Sequence, residues 1–146
     1  MKIIKANIEH LDIIVSLFDQ YRQFYNQKFD INLSRNFIQE RIKNNESVIF
    51  IALLNENGTG FTQLYPSFSS VSMRRLWILN DLYVSPDYRK QNIANQLIKE
   101  AVKLGQETKA VGITLETDTD NFPAQGLYEK IGFQKIKHCY YYHFKL

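Results

Sequence analysis

The run from Trp77 to Glu100 constrains this chain more than any other. It opens with Trp77-Ile78-Leu79-Asn80-Asp81-Leu82-Tyr83-Val84, apolar and rich in aromatic and β-branched residues, and is stopped by Pro86. That pattern reads as a buried strand. From Ile93 the apolar residues fall at Ile93, Ala94, Leu97, Ile98, Ala101 and Val102, the spacing of one helix face. The expected order is therefore strand, short polar turn, helix. A helix start leaves several main-chain N–H groups without intrahelical partners and holds a partial positive charge, so it binds phosphate readily. Arg89 and Lys90 add full charges beside it, and Ala94 keeps the first turn small enough for close approach.

Here the turn reads Arg89-x-x-Asn92-x-Ala94, which resembles the Arg/Gln-x-x-Gly-x-Gly/Ala signature of the GNAT superfamily of acetyl-CoA-dependent N-acetyltransferases. Asn92 replaces the usual glycine. If glycine is favoured there for a positive φ, asparagine is the next most tolerant residue, so the cost is modest. A second block, Asn121-Phe122-Pro123-Ala124-Gln125-Gly126-Leu127-Tyr128-Glu129-Lys130-Ile131-Gly132-Phe133, resembles the family's Asn-x-x-Ala-x-x-Leu-Tyr-x-x-x-Gly-Phe at every fixed position. Two blocks in the right order and separation make the resemblance specific. It implies one N-acetyltransferase domain over 1–146, with a mixed, mostly antiparallel α/β sheet flanked by helices.

Size and composition agree with one compact domain: 146 residues, 45% hydrophobic. The net charge of +3 is spread along the chain apart from Arg74-Arg75 and Arg89-Lys90, which suits an anionic cofactor and does not form the aromatic-interleaved stripe of a nucleic-acid binder. Cys139 is the single cysteine, so no internal disulfide or cysteine metal cluster is expected, and it reads as a small residue packed near a strand end. The N-terminal residues lack a signal-peptide core and no run is long enough to span a membrane, so a soluble cytoplasmic protein is expected.

Along the chain, Lys2 to Ala6 is a short strand and Asn7 a cap for a helix striped by Leu11, Ile14, Val15, Phe18, Tyr21 and Tyr25. A second helix is expected from Ser34. The resemblance places these two helices and the loop 26–33 where the acceptor enters. Ser47 to Leu54 and Gly60 to Tyr65 flank the turn signal Asn55-Glu56-Asn57-Gly58 and form a hairpin. Pro66 to Arg75 reads as a surface loop or an acceptor-site wall, the loop being preferred. Gly105 marks a possible helix end, Gly112 to Glu116 a strand, and 133–146 a closing hairpin. Alternation of strands and helices between antiparallel pairs makes a mixed α/β sheet.

Acetyl transfer to an amine needs a polarised carbonyl, a neutral amine and a stabilised thiolate. The resemblance implies that the main chain of Leu82, Tyr83 and Val84 binds the pantetheine arm and the thioester oxygen. It also implies that the turn Arg89, Lys90, Gln91, Asn92, Ile93, Ala94 and Asn95 holds the pyrophosphate of acetyl-CoA, with Asn121 on the pantetheine arm or the nearby strand and Tyr128 facing the departing sulfur. An alkyl amine of pKa about 10.4 is neutral in only about one molecule in a few thousand at pH 7, so a proton acceptor is required. Asp81 is the first candidate, one residue from those amides and made more basic by a dry cleft; Glu116 acting through water is the reserve. A phenol of pKa about 10 protonates a thiolate of pKa about 8.5 uphill by ~2 kcal/mol, so Tyr128 is a hydrogen-bond donor more than an acid.

The polyamine acetyltransferases this strand resembles carry Glu-Asp where Asn80-Asp81 stands here. The acceptor therefore stays open among small amines, polyamines, amino acids and protein lysines or N-termini. Tyr25 and Asp81 are the candidate acceptor contacts, and Tyr21, Phe68 and Tyr140 are further candidates to line that site, a set suited to a cationic amine. A non-catalytic CoA-binding module is the rival reading. No metal is required, and exposed Tyr140-Tyr141-Tyr142 hints at a homodimer or an ordinary edge strand.

Overall fold

The computed structural model describes residues 1–146, which form two compact units, Met1–Leu115 and Glu116–Leu146. The first contains a five-stranded sheet of β1 (Lys2–Lys5), β2 (Val48–Leu54), β3 (Asn57–Ser69), β4 (Arg74–Val84) and β5 (Ile113–Thr114), paired in that order. Every pairing is antiparallel except β4 with β5. A parallel pair needs a long crossover, and α3 (Ile93–Glu107) supplies it. The mixed, mostly antiparallel α/β sheet is as expected.

Two further helices, α1 (Leu11–Phe24) and α2 (Ile31–Lys43), pack together on the sheet. The α1 stripe of Leu11, Ile14, Val15 and Phe18 shares a core with Ile38, Ile49, Ile51, Leu53, Phe61 and Tyr83. Phe18 stacks on Phe37 at 5.5 Å between ring centres. Asp19, 1% exposed, ties the helices by accepting from Ser34 Oγ at 2.9 Å and the Asp30 N–H at 3.1 Å. Ser34 therefore does not begin α2; Asp30 caps it through the Leu33 N–H at 2.9 Å. Leu97, Ile98 and Ala101 are fully buried and anchor α3, with each large side chain contributing about 1.5–3 kcal/mol.

Several expected boundaries shift. Pro66 to Arg75 is not a loop: β3 runs to Ser69 and β4 starts at Arg74, with Pro66 opposite Trp77. Proline fits because the pairing of β3 with β2 stops at Leu64, opposite Val48, leaving the rest of β3 paired on one side only. Gly105 lies inside α3, buried, with Ile113 against it. The strand expected over 112–116 shrinks to two residues.

In the second unit, α4 (Phe122–Ile131) is capped by Asn121 and ends at Gly132, whose φ of 117° is the left-handed conformation that favours glycine. No strand forms over 133–146, so the closing hairpin is absent, and Cys139 is exposed instead of packed at a strand end. Alternating aromatic residues set a β tendency but supply no partner, and an isolated two-stranded hairpin is marginal in water.

Candidate active site

The site begins with an irregularity in β4. Leu64 lies opposite Leu79 and Gln63 opposite Asp81, so Asn80 has no partner on β3 and forms a β-bulge. Pairing with β5 ends at Ile78. The Ser85 N–H donates to the Thr59 carbonyl at 2.9 Å, on the β3 side. Period-two alternation then turns the Asp81 and Tyr83 N–H groups toward β3, and those of Leu82 and Val84 toward the opposite edge, beyond the reach of β5. Gly60 makes the approach of β3 possible. A Cβ there would sit 2.7 Å from the Tyr83 carbonyl oxygen and 3.3 Å from Val84 Cα.

After Val84 a single 3₁₀ turn, Pro86–Tyr88, leads into the polar loop before α3. Arg89 folds back, its Nε donating to the Val84 carbonyl at 3.1 Å while its guanidinium lies 5.7 Å from the Phe24 ring centre. Lys90 and Asn92 both have positive φ, 60° and 63°. Asn92 is left-handed and Ile93 begins the right-handed helix, a succession that gathers main-chain N–H groups into an anion-binding concavity. Gln96 is the first residue of α3 whose N–H returns to Asn92, leaving those of Ile93, Ala94 and Asn95 outside the helix ladder. Asn95 Nδ2 donates to Asn92 Oδ1 at 2.8 Å and braces the turn. The expected reason for glycine at position 92 is therefore present, and asparagine meets it.

One residue before Leu82, Asp81 is 2% exposed. Gln63 Nε2 donates to Asp81 Oδ2 and Asn80 Nδ2 donates to Oδ1 at 2.9 Å. Burial raises the Asp81 pKa from its ordinary 3.8, against the opposing influence of Gln63, Asn80 and the Tyr21 hydroxyl. Burial and the neighbouring Asp81 charge push Tyr65 up to about 12 and Tyr21 well above the usual phenol range. Gln63 Nε2 also donates to the Tyr65 hydroxyl at 3.1 Å. Tyr25 packs edge-on to Tyr21 at 5.0 Å, and Tyr21 packs edge-on to Tyr83, two residues along β4 from Asp81.

Within the second unit, Asn121 Oδ1 accepts from the Ala124 N–H at 3.3 Å and so serves as the α4 cap. Tyr128 is half-buried with its ring 5.9 Å from Phe133, and both Gly132 and Phe133 donate their N–H to the Tyr128 carbonyl. The fixed spacing of Tyr, Gly and Phe thus has a local cause in helix termination. Glu116 is exposed.

Gln63 and Tyr65 were not among the sequence candidates. The signal available was their period-two spacing on β3, but only the ladder register sets them beside Asp81. No three His, Cys, Asp or Glu side chains are placed to hold a metal ion. No helix is long and apolar enough to cross a membrane. A left-handed turn opening a helix, two edge-facing amides on a bulged strand and a buried carboxylate beside them fit a ligand carrying a diphosphate and an amide-rich arm.

Comparison with known proteins agrees. Residues 13–133 match the Acetyltransferase (GNAT) family. The uncharacterized N-acetyltransferase YhfO of Bacillus subtilis is 42% identical over 135 residues, covering 92% of this chain and 91% of that one. A probable acetyltransferase of Haemophilus influenzae is 35% identical over 102 residues, covering 69% and 70% of the two chains. The crystal structure of a probable acetyltransferase, 42% identical, superposes with a TM-score of 0.95 over 100% of this chain and 98% of that one. The chain belongs to the GNAT family and is an acetyl-CoA-dependent acetyltransferase.

Proposed function

We propose that the protein acetylates the primary amine of a small cationic acceptor, a small amine, polyamine or amino acid, by direct attack in a ternary complex. One observation carries this reading: Asp81 is a nearly fully buried carboxylate bonded by the neutral donors Gln63 and Asn80. Such a group attracts an ammonium and gains basicity from its burial. Membership of an acetyltransferase family speaks against a non-catalytic CoA-binding module.

Acetyl-CoA supplies an activated acyl group on a thiol leaving group. The N–H groups of Leu82 and Val84 are assigned to its pantetheine arm and thioester oxygen, and those from Gln91 to Asn95 to its diphosphate, with Arg89 and Lys90 adding charge. Support comes from the bulge at Asn80 and the left-handed Asn92. Asp81 takes the acceptor's proton. Tyr128 donates a hydrogen bond to the departing thiolate, a role that rests on its place in the second motif block. Arg89 contributes in a second way, since its bond to the Val84 carbonyl ties the turn to the strand end. The test is thiol release from acetyl-CoA across a panel of alkylamines, polyamines, amino acids and lysine peptides. Turnover confined to small cationic amines is expected; turnover of peptides alone overturns the acceptor assignment.

A further inference from the structure

We propose that Gln63 is a positioning residue for the proton transfer: it fixes Asp81 Oδ2 from within the sheet, so that Oδ1 is the oxygen that takes the acceptor's proton. This rests on Asp81 as the proton acceptor, and it follows from how the two carboxylate oxygens are held. Gln63 is fully buried and stands opposite Asp81 in the β3–β4 ladder. Its Nε2 donates to Asp81 Oδ2 and also to the Tyr65 hydroxyl at 3.1 Å, which uses both amide hydrogens. A carboxylate only accepts, so the amide nitrogen has to face it, and Gln63 Oε1 is left buried without a hydrogen-bond partner. A buried acceptor left unmade is destabilising, whereas an apolar side chain of the same shape would leave none on that side. Stability of the sheet therefore does not explain the glutamine; its bond to Asp81 does. The second oxygen is held differently. Asn80 Nδ2 donates to Asp81 Oδ1 at 2.9 Å, from an exposed residue on the bulge that has no partner on β3. An acceptor ammonium replaces that one N–H and meets Oδ1, while the bond to Oδ2 stays.

The chemistry of an amide suits the task. Its N–H favours the charged carboxylate but, unlike a guanidinium or an ammonium, leaves that charge in place to attract the acceptor. A neutral amide donates without passing a proton on, so the transferred proton stays at Oδ1. In the step itself an ammonium N–H bond breaks, its electron pair stays on nitrogen as the nucleophile, and the proton bonds to Oδ1. Ammonium and carboxylate become amine and carboxylic acid, and the summed charge is unchanged. A carboxylate free to rotate would spend much of its time with neither oxygen in line, which is the loss that fixing Oδ2 prevents. The other titratable or charged groups whose charges bear on this cluster are Tyr65 from β3, Tyr21 and Tyr25 from α1, and Arg41 from α2.

The test compares Gln63→Met, similar in shape but without a donor, with Asn80→Ala, Asp81→Asn and the Gln63→Met/Asp81→Asn double variant. Thiol release from acetyl-CoA with n-butylamine and cadaverine is measured against pH, with acetyl-CoA affinity as the control for folding. Gln63→Met is expected to lower kcat about tenfold or more and to change the amine KM no more than a few-fold. The acid limb of its pH profile is expected to rise by about one pH unit, since a donor to the charged form is gone. Asn80→Ala, whose exposed donor water replaces, is expected to stay within about threefold of wild type. The double variant is expected to be no slower than Asp81→Asn, because Gln63 acts through Asp81. An unmoved acid limb in Gln63→Met, equal losses in Gln63→Met and Asn80→Ala, or losses that multiply in the double variant overturn the positioning role and leave Asp81 as base. Full turnover in Asp81→Asn, or no wild-type turnover of either amine, overturns the proposed function and the positioning role with it. A further measurement needs no variant. In the wild-type protein the ¹H–¹⁵N resonances of the Gln63 side-chain amide are expected to move through the same pH midpoint as the Asp81 carboxyl carbon followed by ¹³C NMR; amide resonances that stay fixed through that midpoint overturn the contact.

Discussion

Gln63 stands opposite Asp81 in the β3–β4 ladder and donates its side-chain amide to that carboxylate. The bond forms only because Asn80 bulges out of β4 and lets the two residues face each other. A buried acid with neutral donors is a proton acceptor tuned upward, and its burial has a consequence for stability as well as for rate.

Asp81→Asn is expected to lower turnover by about 10²–10⁴-fold, with partial recovery at alkaline pH as the amine deprotonates on its own. Stability should move the other way. Burial holds the folded pKa above 3.8, so between 3.8 and the folded value the native state keeps a proton the unfolded chain has lost. Wild-type stability therefore falls as pH rises through that window. Relative to wild type, the asparagine variant is expected to be more stable at slightly alkaline pH, by an amount that shrinks as pH falls toward 3.8. Denaturant midpoints of both proteins across that range measure the difference, and a constant offset would contradict the assigned pKa direction.

Gly60→Ala tests the strand approach. The added Cβ meets the Tyr83 carbonyl at 2.7 Å, backbone against backbone, so β3 and β4 must separate. Overpacking of this kind costs about 1–3 kcal/mol. A lower melting temperature together with weaker acetyl-CoA binding is expected, because the shifted residues carry the Leu82 and Val84 amides. Lower stability with unchanged cofactor affinity would separate the strand spacing from the site.

Asn92 offers a graded series. Its φ of 63° suits glycine, tolerates asparagine and opposes a β-branched side chain. Asn92→Gly is expected to keep acetyl-CoA affinity within a few-fold, whereas Asn92→Val is expected to lose about 1–2 kcal/mol of stability and most of that affinity. Equal affinity in the two variants would mean the turn does not hold the diphosphate.

The legible and the hidden parts of the site differ in kind. The turn around Asn92 was readable because a helix start and a positive φ are local properties, set by residues adjacent in sequence. Asp81 was readable as a carboxylate beside exposed amides. Its partner Gln63 was not, since it comes from β3, and the bulge that aligns the two is a property of two strands in register. Pro66 to Arg75 was read as a loop because sequence does not say that β3 is one-sided there and so admits a proline. The aromatic run Tyr140-Tyr141-Tyr142 was misread as a strand because β tendency without a pairing edge makes none.

Tyr128→Phe is expected to reduce turnover about tenfold or more and to leave acetyl-CoA affinity nearly intact, since the hydrogen bond to the thiolate is lost while the ring stays. The ring contact with Phe133 survives the change. Loss of cofactor binding or of α4 helicity in this variant would assign Tyr128 to packing instead.

The most direct measurement is a titration of ¹⁵N-labelled protein with acetyl-CoA, followed through its backbone amide resonances. The largest shifts are expected at Leu82 and Val84 on the bulged strand and from Gln91 to Asn95 at the start of α3. Saturation of binding with those amides unmoved, and the shifts gathered elsewhere in the chain, would contradict the account.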